Sequence, residues 1–315
     1  IPHLATEALF LISSQIVLGT CDLIQERINQ SRPENNIEVV CFPENLRVGQ
    51  AVEYFFNADR FVIGAKTQKA YEEISKLLRK IDAPKIHMDI KSAEMSKHAL
   101  NVFLALQVSF INEIADICDA YGADISKVAE ALKLDSRIGR KAYFSAGLGI
   151  TSPPLIRELN TLINLAKEKN LRLAVIGSIL ETNNRQPLKI VKRLKIALGI
   201  PLAGKRVGIF GLSYKEGTGF TGKSAAPFII GELENSGISC RIYQPSSDSP
   251  YLVAKDCNAL LFLNPEKEFL NLDFYRIVNL MRDPKIIFDA RNFLPKSDLE
   301  NKGFKYLAIG RGGKN

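Results

Sequence analysis

Apolar residues recur at steps of three and four from Met95 through Ala99, Val102, Phe103, Leu106, Phe110 and Ile114 to Ile117. The period is helical and holds for about eight turns, free of Pro and Gly, until Gly122. A helix apolar over most of its circumference must be covered on several sides. The pattern therefore predicts a spine, starting near Lys91, that joins two lobes. Ahead of it the apolar runs are short: strands are predicted at Ala8–Ile12, Ile37–Cys41, Phe61–Ala65 and Lys85–Met88, with helices from about Gly19 and over 67–80. Strands alternating with helices predict a parallel α/β sheet. Behind the spine the chain reads as helical to about residue 200, with one helix at 155–169. Leu173–Ile179 taken alone looks like a strand, but the length of the stretch and the following Asn183 and Arg185 predict two helices. From residue 203 the pattern starts afresh as strand, glycine-bearing turn, helix 224–236 and strand 238–243. Apolar strands follow in DCNALLFLN, KIIFDARNFL and GFKYLAIGRG. This is a second βαβ unit of the nucleotide-binding kind.

Composition narrows the class. With 315 residues, 46% hydrophobic and 24% charged, the chain has material for two or three ordinary globular domains. The net charge of +8 comes without a basic run or a basic-aromatic repeat, so it suits a small polyanion better than nucleic acid. Cys21, Cys41, Cys118, Cys240 and Cys257 are scattered, odd in number and without a CxxC, which reads as buried free thiols in a reducing cytoplasm. His3, His87 and His98 lack metal-ligand spacing, and no metal site is expected. No apolar run has the length of a membrane span, and no signal peptide is visible.

Some polar positions carry candidate chemistry. Lys97 and Asn101 are four apart on the spine and share a face. They are either a solvated lysine and a surface asparagine, or two donors aimed at one developing oxyanion. Glu44 follows a strand in a Pro-Glu loop and is either a functional carboxylate or a solvated one. Gly147-Leu148-Gly149 lets backbone approach a ligand ahead of a helix N-terminus, a place that binds anions. Arg291 stands at a strand's C-terminal end, placed for a phosphate or sugar hydroxyl, or else paired with a surface carboxylate.

The segments AEMSKHALNVFLALQVSFINEIADIC, DSRIG and GLG together resemble the nucleotide-sugar dehydrogenases, the UDP-glucose/GDP-mannose dehydrogenase family. SSQIVLGT, CFPENLRVGQAVEYFFNADRFVIGA and the Gly208-x-x-Gly211, Lys215, Thr218 segment extend the resemblance over nearly the whole chain. It implies an α/β fold of two Rossmann-like domains joined by an all-helical central domain with a long spine helix. The domains would be 1–89 (the back half of an NAD-binding domain, without its Gly-x-Gly-x-x-Gly turn), 90–202 (central, dimerising) and 203–315 (nucleotide-sugar-binding). The front half is then expected in a longer gene product or to have been trimmed. The resemblance further implies a cytoplasmic homodimer that oxidises a nucleotide-diphosphate sugar at C6 with NAD, for polysaccharide synthesis.

By the same resemblance Lys97, Asn101, Glu44 and Glu158 are catalytic. Gly147, Gly149, Tyr143, Lys215, Arg291 and Arg137 contact substrate, and Ser14, Gln15, Arg157 and Lys223 contact the cofactor. Several slots depart from the family pattern. Pro154 stands where the family has its nucleophilic Cys, Glu158 where it has Asp, Gly222 where it has an Arg, with Lys223 alongside. Val48 and Gln244 replace two acidic residues. Proline offers no nucleophile. The alternatives are therefore a dehydrogenase whose chemistry avoids the thiol and a non-catalytic nucleotide-sugar-binding or dimerisation partner.

Overall fold

The computed structural model describes residues 4–46, 49–212, 225–245 and 247–311. By packing, the chain divides into two compact units, Ile1–Asn101 and Val102–Asn315.

The first unit runs β1 (Leu9–Ile12), α1 (Thr20–Ser31), β2 (Glu38–Cys41), α2 (Ala51–Phe56), β3 (Phe61–Gly64), α3 (Gln68–Leu77) and β4 (Lys85–Met88), then enters the long helix α4 (Ile90–Tyr121). Its sheet has the order β1-β2-β3-β4. Side chains alternate between two buried faces, as the period of two requires. Val40 and Ile63 face the Ala70, Ile74 and Leu78 side of α3. Val39, Cys41 and Val62 pack with Cys21 and Ile28 of α1 and with Ala93 of α4. The β1/β2 and β3/β4 pairs are parallel, but β2 meets β3 antiparallel at Cys41 and Gly64. The cause lies in the connection: α2 has only six residues, none buried, so it does not cross a sheet face as a parallel link demands.

The second unit holds the rest of α4, then α5 (Ile125–Leu134), α6 (Pro153–Glu168), α7 (Ala174–Leu198), β5 (Arg206–Phe210), α8 (Ala226–Glu234), β6 (Ser239–Ile242), α9 (Pro250–Ala254), β7 (Ala259–Phe262), α10 (Phe274–Leu280), β8 (Ile286–Asp289), α11 (Lys296–Asn301) and β9 (Lys305–Ala308). All five strands are parallel, in the order β6-β5-β7-β8-β9. Ile111 and Ala115 of α4 and Ile190, Val191 and Leu194 of α7 cover one face through Val207, Ile209, Leu261 and Phe288. Helices α9 to α11 cover the other through Phe210, Leu260, Phe262 and Ile287. The order reverses between β5 and β7, which makes the carboxyl ends of those strands a natural ligand crevice.

Two helical expectations change. Residues 174–198 form one helix, not two, with Pro187 inside it. Its buried face, from Ile179 through Ile190 to Leu198, outweighs the single hydrogen bond the proline removes. Helix α6 begins at Pro153, two residues ahead of the expected start at 155, so Pro153 and Pro154 are its first two residues. Those positions need no N–H, and the fixed proline φ suits them. Helix α4 ends where Gly122 takes φ +75°. It is buried over part of its circumference and leaves Phe103 (54%), Phe110 (43%) and Ile117 (56%) exposed at seven-residue spacing.

Candidate functional site

In the first unit, α4 carries two of the anticipated residues. The Lys97 ammonium donates to the Glu44 carbonyl (2.7 Å) and to the Asn45 side-chain oxygen (3.0 Å), which ties the spine to the loop after β2. The Glu44 carboxylate turns back on its own loop and accepts from the Leu46 amide (2.6 Å). Asn101, one turn on from Lys97, is buried at 8% exposure. Ser14 is exposed and Gln15 half-buried, in the turn at the carboxyl end of β1.

Sequence reasoning missed Glu94, one turn before Lys97. It is buried, and its two carboxylate oxygens accept from the Gly19 amide (2.6 Å) and the Cys21 amide (2.9 Å). Helix α1 has no side-chain cap of its own, and Gly19 enters it with φ +89°. Glu94 therefore supplies from a distant helix the acceptors that a cap residue would give. The signal was an acid on the apolar period of the spine.

In the second unit, the loop between α5 and α6 is held at successive backbone atoms. Asn292 donates to the Ala146 carbonyl (3.2 Å). The Gly147 amide donates to Asn112 (2.8 Å) and the Ile150 amide to Asn183 (2.6 Å). Both glycines are sterically required. A side chain at Gly147 would bring its Cβ within 2.3 Å of the Ala290 carbonyl oxygen, and one at Gly149 within 2.5 Å of Asn183 Oδ1. Asn112 and Asn183 are further residues that pattern reading missed, since a polar residue on a buried helical face looks there like a break in the period.

Arg291 sits beside this loop. Its Nε donates to the Leu263 carbonyl (3.1 Å) and its Nη2 to the Thr151 hydroxyl (3.2 Å). Both acceptors are neutral, and among the described residues no carboxylate is ion-paired with the guanidinium. Asp289, two residues away, instead accepts from the Arg291 and Leu294 amides and the Tyr306 hydroxyl. The Arg291 residue keeps some accessible surface, yet enough protein surrounds its charge that desolvation lowers the pKa to about 10, against the opposing pull of Asp289. It still carries its proton at neutral pH. Burial likewise pushes the Asp289 carboxyl up, and its amide and hydroxyl donors oppose the shift.

Arg291 and Asn292 line a cleft of about 400 Å³ together with Phe144, Ser145 and Ala146 of the loop and Ser126, Lys133 and Arg140 from α5 and the turn after it. The placement of the other anticipated residues differs. Arg137 does not line the cleft; it forms an exposed two-pronged pair with Asp135 (3.0 and 2.7 Å), which lies two residues back in the same turn. Tyr143 is fixed through its amide to Gln107 (2.8 Å). Glu158 is buried at 2% exposure with Arg157 at 3.7 Å, so these two pair with each other. Lys215, Thr218, Gly222 and Lys223 lie outside the described residues, as does Val48.

The anion site expected at the start of α6 is weakened by its own sequence. Pro153 and Pro154 have no N–H, and the Leu155 and Ile156 amides both bond to the Ser152 carbonyl (3.1 and 3.3 Å). The donors that make a helix N-terminus attract anions are gone or engaged.

The second unit is thus a doubly wound α/β sheet with an enclosed arginine near a strand's carboxyl end, where such sheets take ligands. Residues 1–82 match the NAD binding domain of the UDP-glucose/GDP-mannose dehydrogenase family, 91–185 its central domain and 208–296 its UDP binding domain. UDP-glucose 6-dehydrogenase TuaD of Bacillus subtilis is 32% identical over 98% of this chain and 70% of its own. The structure of a UDP-glucose dehydrogenase from Pyrobaculum islandicum superposes with a TM-score of 0.84 at 27% identity, covering 97% of this chain and 71% of that one. That of a UDP-D-ManNAc dehydrogenase from Pyrococcus horikoshii gives 0.85 at 25% identity, covering 98% and 74%. The chain belongs to the UDP-glucose/GDP-mannose dehydrogenase family.

NAD is the cofactor of the family's first domain. The described residues fit part of it: the polar Ser14–Gln15 turn lies at the carboxyl end of β1, where α/β sheets take ligands. The α1 amides are already engaged by Glu94, and residues 4–89 contain no Gly-x-Gly-x-x-Gly turn for a pyrophosphate. Among the described residues α4 alone is long and apolar enough to cross a membrane. Its Ala93, Ala105, Ile111 and Ala115 are fully buried, as in a core helix.

Proposed function

We propose that this chain binds a nucleotide-diphosphate sugar through the second unit and serves its NAD-dependent oxidation at C6, going no further than the aldehyde. The observation that carries the reading is Arg291, an enclosed cation lining a cleft, whose side-chain hydrogen bonds among the described residues go to neutral acceptors. A desolvated guanidinium with no carboxylate in hydrogen-bond contact is costly unless an anion completes it, and Lys133 and Arg140 outweigh Glu130 in the charge of the cleft lining. The rigid Gly147–Ile150 loop gives such a ligand a backbone wall. In the oxidation, the alcohol loses a hydride to the cofactor and a proton to an oriented water, and becomes the aldehyde. Bound NAD supplies the hydride acceptor. Lys97 and Asn101 are the donors suited to the oxygen that develops charge as its proton leaves, and Lys97 is already oriented by the Glu44 carbonyl. By the resemblance, Glu44 and Glu158 are the carboxylates that would orient water. The further oxidation to a carboxylate proceeds in the resembling pattern through a thiol, and Pro154 removes it.

A second reading, a non-catalytic nucleotide-sugar-binding partner, draws on the same proline pair, which deletes both the nucleophile and two amide donors. Calorimetric titration with UDP-sugars, GDP-sugars and NAD, paired with NADH absorbance, separates the two. Sugar-nucleotide binding with NADH formation that is lost in Lys97→Ala supports the dehydrogenase. Binding without turnover supports the partner, and silence on all ligands removes both.

We further propose a cytoplasmic homodimer that acts in polysaccharide precursor synthesis. The Phe103, Phe110 and Ile117 stripe is the face suited to a second copy. Phe110→Asp then converts the dimer to monomer in light-scattering chromatography, and a monomeric parent chain defeats the idea.

A further inference from the structure

Gln186 lies in the middle of α7 with no exposed surface, and neither its Oε1 nor its Nε2 has a hydrogen-bond partner. A buried amide without partners is expensive, and structures retain one only for a reason. Its neighbourhood suggests that reason. Asn183, one turn earlier on the same face, holds the Ile150 amide. Gly149 packs so closely on this pair that an added Cβ would meet Asn183 Oδ1 at 2.5 Å and Gln186 Cγ at 3.2 Å. Residue 187 is proline, so the Asn183 carbonyl loses the N–H that a regular helix would give it. Three polar functions therefore lie within one turn of α7, on the stretch whose side chains meet Gly149: an amide donor, an amide acceptor and a freed carbonyl. No direct pairing among them satisfies Gln186 Oε1, because the carbonyl brings no hydrogen.

We infer that Gln186 and the Asn183 carbonyl bind one ordered water beneath Gly149, and that Gln186 is thereby a positioning residue for the Gly147–Thr151 segment. The water donates to Gln186 Oε1 and to the Asn183 carbonyl and accepts from Gln186 Nε2. Three bonds are typical of a buried water. The segment it braces continues from Ala146, which lines the cleft, and carries the Thr151 hydroxyl that holds Arg291. Its consequence for ligand affinity rests on the nucleotide-sugar reading above; the hydration site itself does not.

The test is Gln186→Met, which keeps chain length and removes both polar atoms. If the water is bound, the variant loses its bonds, and the melting temperature falls by about 3 °C. A melting temperature unchanged or raised overturns the inference, because replacing an unpartnered amide by an apolar side chain is neutral or stabilising. Well below melting, the variant's Kd for UDP-glucose rises about fivefold; a Kd equal to the parent's overturns the positioning role. A crystal structure of the parent chain supplies the direct check, and an amide bonded only to protein atoms sinks the hydration site. Should the parent fail to bind UDP-glucose, the nucleotide-sugar reading falls, while the melting and crystallographic results still decide the water.

Discussion

Two helix N-termini in this chain handle the same electrostatic problem in opposite ways. At the start of α1, the Gly19 and Cys21 amides point at a carboxylate brought from α4. At the start of α6, two prolines delete the amides instead. The first terminus is filled by an anion of the protein's own; the second offers an incoming anion little to bind. A cysteine, Cys21, is the second residue of the first helix, while the second residue of the other is Pro154. A helix N-terminus ordinarily lowers a thiol pKa and activates it. Here the Cys21 thiol is pushed well above its usual value, first by its hydrogen bond to Cys41, then by burial and the Glu94 carboxylate. A thiol at a helix start is thus reactive only when the surrounding charges permit it. With both termini closed, the proposed phosphate contact is a side chain, Arg291.

The largest effect should come from opening the filled terminus. Glu94→Ala leaves two amides at the buried start of α1 without acceptors and removes a packed side chain. Urea denaturation should register a loss of about 3 kcal/mol. Glu94→Gln, with one acceptor oxygen and a misplaced amide, should lose roughly half of that. A loss below about 0.5 kcal/mol would mean that α1 does not depend on its distant cap. Next in size is the cation. Arg291→Ala should weaken UDP-sugar binding about 100-fold by calorimetry, and Arg291→Lys should fall between, as a point charge without the fork that now spans Leu263 and Thr151. An unchanged Kd would return the anion site to a helix terminus.

Much of this frame was legible in the sequence. The strands, the spine and the second βαβ unit follow from hydrophobic period, and the structure brings Gly147, Gly149 and Arg291 into one neighbourhood. What escaped has physical reasons. The antiparallel step between β2 and β3 depends on α2 being too short to cross the sheet, and no local pattern reports that. The pattern predicts a start for α6 at 155, after Pro153 and Pro154, because proline suits both a loop and a first helical turn. Glu94, Asn112 and Asn183 act on backbone atoms far along the chain, and residue spacing does not record such partners. The closing of the Arg137 fork on Asp135 is likewise a contact that sequence spacing did not announce.

The smallest effect sharpens the contrast between the two termini most directly. In the parent chain Cys21, Cys41, Cys118 and Cys257 are buried and Cys240 is half-buried. Burial pushes the Cys240 thiol up to about 12 and the Cys257 thiol up to about 11. At pH 8 all five should resist iodoacetamide in the native state, because the thiolate is the nucleophile, and all should react after unfolding. Raising the pH toward 11 should expose Cys257 before Cys240. Pro154→Cys puts a thiol at the second position of α6, restores one amide to that terminus and costs roughly 0.5 kcal/mol through a freer unfolded chain. Mass spectrometry should then find a single adduct near neutral pH, on residue 154, while Cys21 at the matching place in α1 stays unmodified. Labelling of Cys21 at a comparable rate would show that Glu94 and Cys41 do not silence it, and the distinction between the two helix starts would collapse.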